Sequence, residues 1–165
     1  TGNGYWLATA DGGVFAFGNA VFHGSMASVT LNKPVVGMET TRTGSGYWLV
    51  ASDGGIFSFG DAGFYGSTGD IVLNKPITSM TAARDGRGYW FVASDGGVFA
   101  FGSVGFFGSR GGNKNRLSTA GMAVTNTNDG YWLVWDDGTS FPFGDAPDFR
   151  SSVAKRTVVA IEVVP

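Results

Sequence analysis

Residues 46 to 67, GYWLVASDGGIFSFGDAGFYGS, alternate short apolar runs with glycine-rich breaks. In YWLVAS, Tyr47, Leu49 and Ala51 fall on one side of an extended chain and Trp48, Val50 and Ser52 on the other, so both faces are mostly apolar. Such a strand has to be covered twice. No window of eleven or more residues holds a 3.6-residue apolar period, and the expectation is an all-β chain without helix.

The pattern recurs without a slip. Trp6, Trp48, Trp90 and Trp132 stand 42 residues apart, as do Tyr5, Tyr47, Tyr89 and Tyr131. Asp11, Asp53, Asp95 and Asp137 keep the same register, followed by Phe15, Phe57, Phe99 and Phe141, by Phe17, Phe59, Phe101 and Phe143, and by Gly18, Gly60, Gly102 and Gly144. Each unit divides into four stretches of strand composition, which in the second are 33 to 41, 46 to 52, 55 to 60 and 63 to 67. The SDGG between the second and third stretches suits a tight hairpin, because Asp and Gly tolerate positive φ.

Four units of four strands predict a single domain over 1–165, a four-bladed β-propeller of 42-residue repeats. The units run about 33–68, 75–110 and 117–152, with 157–165 joined to 1–26. The chain begins in the second strand of a unit, and RTVVAIEVV corresponds to a first strand after a three-residue shortening. Residues 157 to 164 are therefore expected beside residues 4 to 10, closing the ring. A β-trefoil would use three units and strand the fourth; a β-helix needs shorter rungs.

Five tryptophans, five tyrosines and fourteen phenylalanines then read as fillers of the wedges between blades, each contributing roughly 1.5–3 kcal/mol or more when buried. The first strands VVGMETT, ITSMTAA and TAGMAVT carry smaller residues, as strands crowded about an axis should, with Gly37, Ser79 and Gly121 at one register.

Composition narrows the chemistry. The 165 residues, 43% hydrophobic, suffice for one core. Eleven basic and thirteen acidic residues, without a basic cluster, favour neither nucleic acid nor anionic lipid. No apolar run approaches the ~20 residues needed to span a bilayer, so no membrane insertion is expected. The opening TGNG lacks the parts of a signal peptide and suggests a fragment of a longer, processed protein.

Cysteine is absent, which removes disulfides and thiolate chemistry. The single histidine, His23, stands where the other units have Tyr65, Phe107 and Phe149, and reads as a blade-edge residue rather than a catalytic base. The glycines follow turns and open no helix, so no phosphate loop is implied. Enzymatic activity is not expected. No cofactor is expected either, although inner-strand carbonyls around an axial channel could hold an ion.

The aspartates Asp11, Asp53, Asp95 and Asp137 share one rim with loops bearing Asn32 and Lys33, Asn74 and Lys75, and residues Asn113 to Arg116. Asp, Asn and Lys beside an aromatic edge can hydrogen-bond sugar hydroxyls, and repetition would add avidity. At any single position, Asp-Gly is also good turn chemistry. The opposite rim carries the polar loops RTGSG, ARDGRG and TNTNDG, a second place for a site.

The repeat resembles the tandem GYWLVASDGGxFxFGDAxFxGS units of secreted or surface proteins of actinobacteria, and all four units match. More distantly it is similar to small propellers such as hemopexin domains and the tachylectin and tectonin lectins, without the hemopexin cysteines. The resemblance implies a secreted or cell-surface accessory module that binds rather than catalyses. Its expected ligand is a cell-wall or extracellular glycan, the alternative being an interaction or structural spacer module that docks a neighbouring domain or protein without a small-molecule site. A monomeric domain is the expected state. ASDGGIFSF departs from the Asp-box of sialidase-type propellers, and only DDGTSF (136 to 141) comes near it. The fourth unit departs most from its siblings, through Trp135, Pro142, Pro147, Asp148 and Arg150, as if adapted to an edge or a neighbouring domain.

Overall fold

The computed structural model describes residues 2–112, 117–149 and 157–161. These hold eleven strands and no helix: β1 (Gly4–Ala8), β2 (Val14–Gly18), β3 (Val35–Thr40), β4 (Gly46–Ala51), β5 (Ile56–Gly60), β6 (Ile77–Ala82), β7 (Gly88–Ala93), β8 (Val98–Gly102), β9 (Thr119–Val124), β10 (Gly130–Trp135) and β11 (Ser140–Gly144). They pair antiparallel into four sheets, β1-β2, β3-β4-β5, β6-β7-β8 and β9-β10-β11.

The 42-residue period is kept in the pairing. Trp48 lies opposite Ser58, Trp6 opposite Ala16, Trp90 opposite Ala100 and Trp132 opposite Pro142. Pro142 is tolerated because β11 is the edge of its sheet. Between the inner and middle strands the register shifts at Val35/Gly37, Ile77/Ser79 and Val134/Trp135. These bulges fall at the small residues: a Cβ on Gly37 would lie 3.1 Å from Val50 Cγ1.

Middle strands β4 and β7 are buried throughout, as two apolar faces require. Three apolar clusters fill the spaces between successive sheets. The first joins Trp6 to Tyr47 and Leu49, the second Trp48 and Val50 to Tyr89 and Phe91, the third Trp90 and Val92 to Tyr131 and Leu133. β4 and β7 thus each send the Trp face forward and the Tyr face back.

The fourth strand expected in each unit is not present among the described residues. Residues 63 to 67 and their counterparts 21 to 25 and 105 to 109 have no ladder, because side chains already satisfy their backbone. Trp48 Nε1 donates to Gly63 O at 2.7 Å, from the same unit. From the next unit, Tyr89 Oη accepts from Tyr65 N at 3.1 Å and donates to Gly66 O at 2.6 Å. The arrangement repeats at Trp6 to Val21, with Tyr47 on His23 and Gly24, and at Trp90 to Gly105, with Tyr131 on Phe107 and Gly108.

Glycine is required in this joint. Gly24, Gly66 and Gly108 have φ of 132°, 133° and 137°. A Cβ there would meet the rings of Phe59, Phe101 and Phe143 at 2.6, 2.6 and 2.5 Å. In the fourth unit the same position is Arg150.

The closing pairing of residues 157 to 164 with residues 4 to 10 is not present among the described residues, where β1 pairs with β2 alone; 162 to 164 lie outside them. Residues 157–161 instead lie along the fourth sheet. Val158 N donates to Asp136 O at 2.7 Å, as Val35 does to Ala10, Ile77 to Ser52 and Thr119 to Ser94. That is the place of a next inner strand, three residues early as its sequence implied. The fourth unit carries Arg150 at the glycine position of the joint, and β1 has no inner-strand partner among the described residues. Tyr5 and Leu7 are 56% and 52% exposed, whereas Tyr47, Leu49, Tyr89 and Tyr131 are fully buried. A groove of about 630 Å³ runs between β1 and β3, along the edge where an inner strand would lie.

Candidate functional site

The four rim aspartates sit in the hairpins between middle and third strands. Each carboxylate caps its own turn: Asp11 Oδ1 accepts from Gly13 N (3.3 Å), Asp53 from Gly55 N (3.0 Å), Asp95 from Gly97 N (3.0 Å) and Asp137 from Thr139 N (2.8 Å). The Thr9 hydroxyl also donates to Asp11 Oδ1. The Thr9 hydroxyl and the Gly13 N–H hold the Asp11 carboxyl below its ordinary value, and the backbone and side chain of Thr139 do the same for Asp137.

Backbone bonds place the Asn-Lys loops between these hairpins. Val35 N donates to Ala10 O beside Asp11, and Ser52 N donates to Pro34 O beside Asp53. Asn32 and Lys33 therefore lie between two rim aspartates. Asn74 and Lys75 stand likewise, through Ile77 N to Ser52 O and Ser94 N to Pro76 O. All four side chains are exposed. Asn113 to Arg116 lie outside the described residues, although Gly112 N donates to Asp95 Oδ2 at 3.0 Å beside them.

In the first unit the rim is concave. Asp11, Asn32, Lys33 and Leu31 line a depression of about 330 Å³. In the second unit the loop before Asn74 presents Ile71 and Val72, 57% and 101% exposed.

A second polar constellation, on the opposite rim, went unnoticed in the sequence. Asp61 accepts from the hydroxyls of Thr41, at 2.8 Å, and Thr43; Asp145 accepts from Thr125, at 2.8 Å, and Thr127. These carboxylates bind the RTGSG and TNTNDG loops to the ends of the third strands. Thr43 and then Thr41 hold the Asp61 carboxyl low. The signal is a Thr-x-Thr pair followed by Asp, and only two of four units carry it. The first has Asn19 and the third Ser103 at the Asp position.

A cavity of about 370 Å³ along the inner strands is lined by Glu39, Ser79 and Arg84 among others, and Ser79 Oγ is buried without a hydrogen-bond partner. No three His, Cys, Asp or Glu side chains converge as metal ligands among the described residues. His23 packs edge-on against Tyr47, ring centroids 5.8 Å apart, within the first joint.

No family model matches the sequence, and no curated protein does. Among solved structures, the chain is similar to the β-propeller domain of Cps50 (Swd1) from Myceliophteria thermophila, with a TM-score of 0.54 and 12% identity, over 87% of this chain and 50% of that one. The chain thus spans about half the length of that structure, and at this identity the likeness speaks to fold alone. Four small antiparallel sheets, stacked in sequence order and joined by aromatic clusters, make this chain a fold of the β-propeller type.

Proposed function

We propose that the chain is a non-catalytic binding module, built of four blade-like units, that recognises carbohydrate through the rim carrying Asp11, Asp53, Asp95 and Asp137, as an accessory domain of a secreted or surface protein. The observation that supports this is the depression where the Asp11 carboxylate, Asn32 and Lys33 meet beside Leu31. A carboxylate, an amide and an ammonium around an apolar floor offer both acceptors and donors to sugar hydroxyls. The hydrogen bonds that fix Asp11 converge on Oδ1, and Oδ2 takes no part in them. Repetition between successive hairpins supplies several weak sites in a row. The Tyr-Trp pairs of the inner units are committed to the core and are not available to stack on a ligand. A glycan array tests this. Reproducible binding that is lost in the Asp11→Ala, Asn32→Ala double variant is expected, and a flat response across diverse glycans overturns it.

A protein-interaction module is the second reading. It is favoured by the open aromatic face of the first sheet, where Tyr5, Leu7, Phe15 and Phe17 are 56%, 52%, 54% and 42% exposed.

A further inference from the structure

We infer that the first sheet is an acceptor for another repeat: it binds an extended segment in which an aromatic residue or histidine is followed by glycine and serine, supplied by a unit other than the fourth unit of this chain. The inference stands apart from the glycan reading, which concerns the rim.

The chain itself defines the recognition. Three times, a middle-strand Tyr hydroxyl takes the backbone N–H before a glycine and returns a hydrogen bond to that glycine's carbonyl. A Phe ring closes over the glycine at a distance that admits no Cβ. The segments so held are FHGS, FYGS and FFGS. This is peptide recognition by main-chain hydrogen bonds, with a steric filter at one position.

The first sheet retains every part of the acceptor: Tyr5, Leu7, Phe15 and Phe17 stand where Tyr47, Leu49, Phe57 and Phe59 do. Among the described residues it holds no segment, and its aromatic pair stacks on itself. Tyr5 and Phe17 stack at 20° with centroids 5.0 Å apart, while the occupied pairs Tyr47–Phe59, Tyr89–Phe101 and Tyr131–Phe143 are tilted by 43° to 49°. The fourth unit, the remaining candidate donor in this chain or in a second copy of it, reads DFRS. At the position of the filtered glycine its sequence carries Arg150, a residue with a Cβ. Phe149 is 73% exposed and stacks on its own Trp132. Donor segments 21–24, 63–66 and 105–108 are already taken by the following sheets. An acceptor that is chemically whole, on a chain whose fourth-unit segment carries arginine in place of the filtered glycine, points to an occupant from a different unit.

The test titrates the full chain with the peptide DAGFYGST, which copies residues 61 to 68, and with its matched form carrying Arg for Gly66. Perturbation of the Tyr5 and Phe17 ring resonances is followed by NMR, and sedimentation records the chain's own association state. Saturable binding of the glycine peptide is expected. The arginine peptide should bind at least about tenfold more weakly, equivalent to about 1.4 kcal/mol, and Tyr5→Phe should cause a similar loss. Tyr5 is exposed, so that variant keeps the fold. Equal binding of both peptides, no saturable binding, or a chain that by itself dimerises or protects the β1 amides through its own fourth unit would each overturn the inference.

Discussion

Tyr89 Oη donates to Gly66 O at 2.6 Å across the boundary between the second and third units, and accepts from Tyr65 N at 3.1 Å. One side chain thus satisfies two backbone groups that a fourth strand would otherwise pair. Burial of the ring pushes the hydroxyl's pKa up, so it remains a neutral donor.

Tyr89→Phe should therefore destabilise the fold by about 1–3 kcal/mol, the cost of leaving enclosed polar groups unmet. Urea denaturation reads this as a lower midpoint at unchanged slope. Tyr5→Phe, at the open end, should leave the midpoint within error. Equal effects would show that the inter-unit bond is not the source.

Gly66→Ala should cost more. The added Cβ lies 2.6 Å from Phe101 Cδ1 on a backbone at φ 133°. Strain and overpacking together give about 2–5 kcal/mol. Gly44→Ala, at φ 70° but with nothing within 4 Å of its Cβ, carries only the backbone penalty and should lose about 1–2 kcal/mol. The difference in thermal midpoint between the two measures the ring contact.

Acid should weaken the opposite rim where Asp61 binds two hydroxyls. Its folded pKa is lowered from the ordinary 3.8, chiefly by Thr43 and then by Thr41. A depressed pKa contributes stability that is present above the unfolded value and is lost as pH falls through the folded one. The Thr41→Val, Thr43→Val double variant should accordingly show a shallower loss of stability below about pH 4 than the parent, in urea midpoints taken from pH 7 to pH 2. Parallel curves would remove Asp61 as a contributor.

The rim aspartates combine a turn role with a ligand role, and two substitutions separate them. Asp53→Asn keeps an Oδ1 acceptor for Gly55 N, so stability should hold; Asp53→Ala should lose about 0.5–1.5 kcal/mol. If carbohydrate binding falls in Asp53→Asn at constant stability, the charge serves the ligand. If it falls only with stability, the hairpin is the whole role of Asp53.

The open first sheet was legible only by halves. The retained Tyr5 and Phe17 and the substituted Arg150 are plain in the sequence, but their significance depends on contacts between residues 23 or 24 positions apart, such as Tyr47 with His23 and Gly24. Likewise, GFYGS has the composition of a strand, yet its backbone is met by Trp48 and Tyr89. The Asp61 site was missed because Thr41 and Thr43 reach it from the far end of a hairpin, and two of the four units lack it.

The sequence by itself determined the 42-residue unit, its three ladder strands, its hairpins and the burial of both faces of each inner Tyr-Trp strand. These follow from local alternation and from turn residues, which act within a few positions of the chain. Only the tertiary structure decided that the outermost segment is held by neighbouring side chains, and that the rim aspartates alternate with the Asn-Lys loops. It alone decided that the first sheet keeps an exposed aromatic face among the described residues. Those outcomes depend on which unit lies against which, and on whether one glycine leaves room for a ring, a steric condition that arises only when distant residues meet.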